Sequence, residues 1–335
     1  MDPTPVFETF WRFAAERQAI YFRRLAGEPA PWTVDSVLLT YRFTNAYRAS
    51  DRVSQFLIRD VQYREDRQQT PDELFFRTLL FKIFNKVETW AALERELGPL
   101  SYSRTDFNAI IKVLDHNMAR GKRLYSAAYI MPAPVFGHRR KHANHLALLK
   151  AMMDDGLPDR IRQASGLSGV YDLLRRYSGI GPFLAFQYAI DLNYSELLNH
   201  DEGSFVVAGP GALDGISKCF YSIGRLTAED VIHQVCDQQE SAFERAGTSF
   251  QSLFGRRLQP IDCQNLFCEI SKYARVAHPD VAGLTGRTRI KQIYRPSTEP
   301  LPSPVFPPRW NLKADMPASD LQPSQQLRLG KGLFA

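Results

Sequence analysis

The sequence predicts a mainly α-helical fold. Apolar side chains recur at helical spacing through most of the chain, and stretches with strand-like alternation are scarce. Hydrophobic residues make up 44% of the 335 positions, which is enough for a substantial core. A formal net charge of +6 suits a polyanionic partner without requiring one. We expect one large helical domain or two closely packed helical lobes.

The first predicted helix covers residues 5–25, where Phe7, Phe10 and Trp11 begin an apolar stripe. Pro71 followed by two acids is a favourable helix start, because proline suits the first turn and acids complement the helix dipole. Other helical patterns cover residues 35–41, 45–61, 71–84, 87–97, 104–120, 142–154, 157–163, 168–177, 182–192, 211–220, 227–246 and 262–277. The helical region is therefore 1–295, and the proline-rich stretch 296–335 is predicted to be extended or disordered, with Trp310 as a candidate anchor onto the body.

Metal ligands and membrane segments are not expected. Cys263 and Cys268 are five positions apart, which is a poor zinc spacing. His138, His142 and His145 have spacings that suit one helical face, but no acidic ligand or HExxH context accompanies them. No apolar run approaches the roughly 20 residues that span a bilayer, and no secretion signal is evident. We therefore expect a cytoplasmic protein with no metal and no cofactor, and the oligomeric state stays open.

A glycine turn between two predicted helices is the first candidate for DNA contact. Gly179 and Gly181 flank Ile180, and Pro182 starts the next helix, as in a helix-hairpin-helix turn. Glycines permit the tight turn and bring N–H groups close to a phosphate, and the positive end of the next helix also faces the anion. The alternative is a plain helix–helix turn.

Two acids that follow this hairpin are the candidate catalytic residues. In helix-hairpin-helix glycosylases an aspartate past the hairpin lies at the mouth of a pocket for an extruded nucleotide, and Asp201 and Glu202 fall in the corresponding window. Asp191, at the end of the second hairpin helix, is an earlier contender. For any one of them the alternative is a solvated carboxylate or a helix cap.

A glycine-rich loop at 205–216 opens a helix that carries Lys218. Free N–H groups at that helix start, with the lysine, could bind a phosphate or pyrophosphate. A purely structural turn is equally compatible with the pattern. No GxxxxGK[ST] motif occurs, so an ATP-using P-loop kinase is not predicted.

The segment 41–52 combines cations, an amide and aromatic rings. Arg42, Asn45, Tyr47, Arg48 and Arg52 could stack a base, read its edge or hold phosphate through guanidinium contacts. The alternative is a helix with arginines reaching to solvent.

Polar groups crowd the last predicted helix, which also needs a buried face. Asp262, Gln264, Asn265 and Glu269 should pair with each other or with a ligand, because an unsatisfied buried polar atom costs roughly 1 to 3 kcal/mol. The basic run that follows suits the DNA backbone or a solvated surface, and its cations are Arg287, Arg289 and Lys291.

Four motifs in this order resemble a known family. They are the RFTN-YR segment at 42–48, the GIGPF hairpin at 179–183, the FVVAGPGALDGI loop at 205–216 and the DCQNLFCE helix at 262–269. The chain is similar over about 5–295 to the α-glutamyl/putrescinyl thymine pyrophosphorylases, also described as the helical domain associated with 5-hydroxymethyluracil DNA kinases.

The resemblance implies a helix-hairpin-helix DNA-glycosylase-like fold and an amino acid:DNA transferase. Such an enzyme displaces pyrophosphate from 5-(pyrophosphoryloxymethyl)uracil in double-stranded DNA with an amino acid or a polyamine, and extrudes the base to do so. Gly179 and Gly181 would hold the DNA backbone, and Asp201 or Glu202 would lie near the base. Pro182 stands where glycosylases often carry a lysine, so a lyase-type Schiff base is not expected there. A DNA glycosylase and a non-catalytic DNA-binding partner of a kinase are the alternatives.

Overall fold

A computed structural model describes residues 1–128, 131–297 and 299–312. Within these ranges the chain is mainly helical, which confirms the prediction of a mainly α-helical fold. The helices are α1 Pro5–Leu25, α2 Ser36–Thr40, α3 Arg52–Phe56, α4 Pro71–Phe84, α5 Val87–Leu97, α6 Phe107–Ala119, α7 Lys141–Asp154, α8 Leu157–Arg162, α9 Leu167–Arg175, α10 Pro182–Asn193, α11 Pro210–Cys219, α12 Ala228–Asp237, α13 Gln239–Arg245 and α14 Pro260–Ala277. Two short strands, β1 Asp2–Pro3 and β2 Phe220–Ser222, pair antiparallel.

Local signals set several helix ends where the sequence predicts them. Thr70 caps α4 by accepting a hydrogen bond from the N–H of Glu73, and Pro71 occupies the first turn. Asn85 ends the helix in the left-handed conformation. Capping and periodicity agree here, and α4 and α5 begin and end at the predicted residues.

The helix predicted at 45–61 is wrong as a single element. The structure has a 3-10 turn at Arg48–Ser50, then α3, then a π-helical turn at Leu57–Gln62. The backbone N–H of Arg48 donates to the carboxylate of Asp262 at 2.7 Å instead of to a carbonyl of its own segment. A tertiary partner therefore breaks the local helical pattern.

The predicted helix at 227–246 is also divided, into α12 and α13. The side-chain amide of Gln239 donates to the carbonyl of Cys236 at 2.6 Å, and this bond satisfies a backbone group freed at the break.

The buried apolar residues of the described part of the chain form one hydrophobic core. Helix α14 packs against α1, α11 and α12, and α10 packs against α4 and α9. The closest crossing is that of α11 and α14, where a Cβ on Gly215 would overlap the backbone carbonyl of Phe267. The turn Arg48–Ser50 contacts α14, and the Arg48 side chain reaches α10.

Part of the proline-rich segment packs onto the helical body. Gln55 exchanges two hydrogen bonds with the backbone of Val305, at 3.0 and 2.9 Å. A 3-10 turn at Pro308–Trp310 follows, and the Trp310 ring lies edge-on to Tyr194. The rest of the predicted tail, residues 313–335, lies outside the described residues. Among the helices that the structure does describe, none has the length and apolar character needed to cross a bilayer.

Candidate functional site

The predicted hairpin is a tight turn between α9 and α10. Gly179 has φ +84°, a conformation that favours glycine, and Ile180 is buried in the core. The guanidinium of Arg175 donates to the carbonyl of Ile180 at 2.7 Å and fixes the turn. Gly181 precedes α10, whose first-turn N–H groups have no acceptor within the helix. The predicted phosphate contact of this turn stays a prediction.

A buried ionic group lies at the other end of α10. Asp191 is fully buried, with one carboxylate oxygen 2.8 Å from the Arg48 guanidinium and the other 3.2 Å from the Lys82 ammonium. Arg48 also donates to the side-chain oxygen of Gln187 at 3.0 Å. Lys82 was not among the predicted site residues, although a lysine within the apolar run 79–84 is a visible signal.

Asp262 connects this group to α14. Its carboxylate accepts hydrogen bonds from the N–H of Arg48 at 2.7 Å and of Gln259 at 3.0 Å. Burial raises the pKa of Asp262, and these two hydrogen bonds partly oppose that shift.

Glu202 is the third buried acid of the site. Its carboxylate is 3.1 Å from the guanidinium of Arg256, which lies over the Trp310 ring at 3.7 Å from the ring centroid. Burial raises the pKa of Glu202, the Arg256 charge lowers it, and the nearby charge of Asp262 raises it. A carboxyl group of this kind can exchange a proton closer to neutral pH than an exposed glutamate.

Asp201 has a different environment, although it is the adjacent residue. Its side chain is exposed, and one oxygen accepts a hydrogen bond from the N–H of Gly203 at 3.0 Å. The loop that carries both acids is tied to the end of α10, because the side-chain amide of Asn193 exchanges two hydrogen bonds with the backbone of His200, at 3.0 and 2.9 Å. We call the buried set the charged cluster; its members are Arg48, Lys82, Asp191, Glu202, Arg256 and Asp262.

Two predicted ligand-binding residues hold the segment 44–48 against α14, and a third contacts α1. Asn265 donates to the hydroxyl of Thr44 at 3.0 Å, and Glu269 accepts from the N–H of Thr44 at 3.0 Å. Asn45 accepts from the guanidinium of Arg17 at 3.0 Å. The sequence left two kinds of partner open for these side chains, other protein groups or a ligand. The bonds seen here are made to protein groups, and a ligand contact stays a prediction.

Two further predicted residues are also engaged within the protein. The Tyr47 hydroxyl donates to the carbonyl of Arg256 at 2.6 Å, and this bond positions the cation of the charged cluster. Gln264 donates to the sulfur of Cys268 at 3.1 Å. Tyr47 thus affects the site indirectly, through the backbone of Arg256.

The glycine-rich loop is explained by close packing. A Cβ on Gly209 would lie 2.6 Å from the Phe183 ring. Lys218 is buried, donates to the carbonyl of Ser271 at 2.9 Å and lies 3.7 Å from Asp214. Burial lowers the pKa of Lys218. The lysine therefore faces the contact of α11 with α14, and its predicted pyrophosphate contact remains untested.

The basic run is exposed. Arg287, Arg289 and Lys291 all lie at the surface, and Arg275 of α14 donates to the carbonyl of Arg289 at 3.1 Å. The run continues into a bridge between Tyr41 and Ile293. This bridge brings the exposed Arg42 alongside the run, and Arg52 is exposed as well.

A separate cleft of about 550 Å³ lies between α1, the start of α2 and the end of α14. Its arginines are paired, Arg12 with Glu8 at 2.6 Å and Arg23 with Glu16 at 3.0 Å. None of the sequence-predicted site residues lines it. We place the candidate site at the charged cluster, where separate motifs converge.

The chain is thus a mainly helical protein in which one helix, α10, has a glycine turn before its first residue and a buried ionic site near its last turn. Residues 4–283 match the family model described as "5-hmdU DNA kinase, helical domain", and the chain belongs to that family. A 5-hmdU DNA kinase of Bacillus phage SP10 is 25% identical over 276 residues, which cover 77% of this chain and 43% of the kinase. The chain thus spans less than half the length of that relative. No solved structure is significantly similar to the present chain.

Proposed function

We propose that this chain modifies thymine-derived bases in double-stranded DNA, as a transferase that replaces the pyrophosphate of 5-(pyrophosphoryloxymethyl)uracil with an amine. The observation that carries the proposal is the convergence of Arg48, Glu202 and Asp262, from three separate motifs, in one charged cluster. Family membership supports the substrate class, since the matched model is named for 5-hmdU DNA kinases.

The proposed reaction needs a carboxylate as base and a cation that stabilises the leaving group. The amine nitrogen attacks the methylene carbon on C5, the carbon–oxygen bond breaks, and pyrophosphate leaves with the bonding electrons. The nitrogen loses one proton to a carboxylate. Glu202 suits this base role because its pKa is raised, and Arg256 suits the stabilisation of the leaving anion.

Base extrusion from the duplex is part of the proposal. The reacting carbon lies within the duplex, so bringing an amine, a base and a cation to it is simplest once the nucleotide has left the stack. The hairpin at Gly179 and Gly181 would hold a phosphate, as in a helix-hairpin-helix glycosylase-like fold. The exposed run at Arg287, Arg289 and Lys291 would add contacts to the DNA backbone.

The decisive experiment is an amine-transfer assay on duplex DNA. The purified full chain is incubated with DNA that contains 5-(pyrophosphoryloxymethyl)uracil and with a mixture of amino acids and polyamines. The DNA is then digested to nucleosides for mass spectrometry. We expect a new aminated thymidine and release of one pyrophosphate per modified base. Unchanged nucleoside with every amine would refute the transferase.

A matched pair of variants tests the role of Glu202. Glu202→Gln should lower the transfer rate by about 10²- to 10⁴-fold, the usual contribution of a general base. Glu240→Gln is the control, because Glu240 also lies 3.1 Å from an arginine, Arg257, but on the surface. Equal rates for the two variants would remove Glu202 from the mechanism and leave the exposed Asp201 as the base to test. Free base and abasic sites would instead indicate a glycosylase, and DNA binding with no chemistry would indicate a non-catalytic partner of a kinase.

A further inference from the structure

The loop that leads into α7 carries an exposed apolar tip. Val135 is 87% exposed and Phe136 is 37% exposed. We propose that this tip is a wedge that inserts between base pairs of bound duplex DNA and unstacks them. The inference rests on the proposed function, because it takes DNA as the partner, and it adds a surface that the charged cluster and the hairpin do not include.

The tip is held in place by two buried side chains of α7. Asn144 accepts hydrogen bonds from the N–H groups of Phe136 at 3.0 Å and His138 at 3.1 Å. It also donates to the carbonyls of His138 at 2.7 Å and Arg140 at 3.0 Å. A buried amide that makes four such bonds fixes the loop backbone, so the exposure of the tip is a built feature of the fold.

His145 fixes the other side of the loop. One ring nitrogen bonds the carbonyl of Pro132 at 2.8 Å, and the other bonds the hydroxyl of Tyr125 at 2.8 Å. Because a carbonyl only accepts, the nitrogen Nε2 must carry the proton and Nδ1 must accept from the tyrosine. His145, one of the three histidines with a one-face spacing, therefore anchors this loop.

The tip borders the hairpin. A Cβ on Gly179 would approach the Cβ of Pro134 to 3.2 Å, so the loop lies directly against the turn that is proposed to hold a phosphate. Phe136 is two residues from Pro134, within about 7 Å along an extended chain. A duplex bound at the hairpin would therefore have its base stack close to the tip.

The charges around the tip favour a polyanion as the occupant. Arg139 and Lys141 follow the tip and are exposed. Asp115 of α6 is already engaged by Arg140 at 3.7 Å and by His142 at 3.1 Å. Two apolar side chains are far too little for a stable protein interface, but they match the size of the wedges that proteins insert between base steps.

Unstacking beside the hairpin would serve the reaction. Extruding a nucleotide costs a few kcal/mol, mostly in stacking and pairing. A rigid apolar wedge offsets part of that cost by filling the gap in the stack. The loop would thus lower the free energy of opening the duplex without touching the reacting atoms.

The test uses the full chain and a duplex with the fluorescent base 2-aminopurine next to a modified thymine. We expect the unchanged protein to raise 2-aminopurine fluorescence on binding, as unstacked bases do. The double variant V135A/F136A should lose most of that rise and about tenfold in affinity, as expected when a wedge contact is removed. The salt dependence of the affinity of this variant for DNA should stay unchanged, because the substitutions remove no charge.

Two matched variants separate the wedge from general binding. Val34→Ala truncates another exposed valine, 96% exposed, and should leave fluorescence and affinity unchanged. The double variant R139A/K141A should lower the slope of log affinity against log salt by at most about 2, since each phosphate contact contributes about 0.9, and should retain the fluorescence rise. If V135A/F136A binds with full affinity and full fluorescence rise, the wedge is refuted while DNA binding stands. If the unchanged protein does not bind the duplex, both this inference and the proposed function fail.

Discussion

Removing the carboxylate of Asp191 should strongly destabilise the protein. Asp191 is fully buried and contacts two cations, Arg48 at 2.8 Å and Lys82 at 3.2 Å. Asp191→Ala leaves a guanidinium and an ammonium close together in the core without the anion that both contact. The free-energy cost of holding these two cations away from water is then no longer offset by the negative charge of Asp191.

The expected magnitude follows from the burial of all three side chains. Arg48 and Lys82 have side-chain exposures of 7% and 2%, so solvent screens the loss very little. Breaking a buried pair typically costs about 3 to 5 kcal/mol in the free energy of unfolding. Because two cations lose a partner here, we expect a value at or above the upper end of that range.

Urea-induced unfolding, followed by circular dichroism, measures the effect. The control is Asp154→Ala, which breaks an ion pair with Lys150 at 2.6 Å whose partners are 53% and 56% exposed. Because solvent screens this exposed pair, its loss should change the free energy of unfolding very little. If Asp191→Ala lowers the free energy of unfolding by no more than Asp154→Ala does, the charged cluster is not a buried ionic site and the reasoning fails.

Two other predictions concern packing and pH. Gly215→Ala should cost about 1 to 3 kcal/mol in the free energy of unfolding, because its Cβ would overlap the carbonyl of Phe267, whereas Gly166→Ala, with extended backbone and nothing within 4 Å, should change it by at most about 0.5 kcal/mol. Equal losses in chemical unfolding would contradict the close crossing of α11 and α14. Burial lowers the pKa of His145 from 6.5 to about 4, so the unfolded chain binds the extra proton first, and stability present above pH 6.5 is lost as the pH falls towards 4. His145→Gln keeps a donor for Pro132 but cannot titrate, and it should reduce the loss of unfolding free energy between pH 7 and 4 by about 3 kcal/mol; an unchanged pH profile would contradict the burial of a neutral imidazole.

The sequence predicted helices well where their signals are local. Periodicity and caps lie within a few residues of each other, as at Thr70 and Pro71, so α4 needs no information from the rest of the chain. The segment 45–61 failed because its decisive partner is Asp262, more than 200 positions away. Local propensity could not reveal that the N–H of Arg48 would leave the helix pattern for that carboxylate.

The same reasoning explains what was predicted of the site. Residue type and motif order selected Arg48, Glu202 and Asp262, and the structure brings all three into one cluster. The sequence could not distinguish Glu202 from the adjacent Asp201, since the difference lies in burial beside a remote cation. That cation, Arg256, was not among the predicted site residues, and its position depends on Tyr47 and Trp310 around it.

Helix α10 connects the hairpin, at its first residue, to the charged cluster near its last turn. Pro182 follows the hairpin and Asp191 lies nine residues later, so the two ends are separated by about 14 Å at 1.5 Å per residue. The helix is buried along most of its length, and the ion pairs at Asp191 fix its far end. If the proposed function holds, a rigid spacer of this kind would set the distance between a phosphate at the hairpin and the carboxylate of Glu202. Hairpin, wedge and charged cluster would then act on the same nucleotide only while α10 keeps its register, and the Asp191 ion pairs would be required for that geometry as well as for stability.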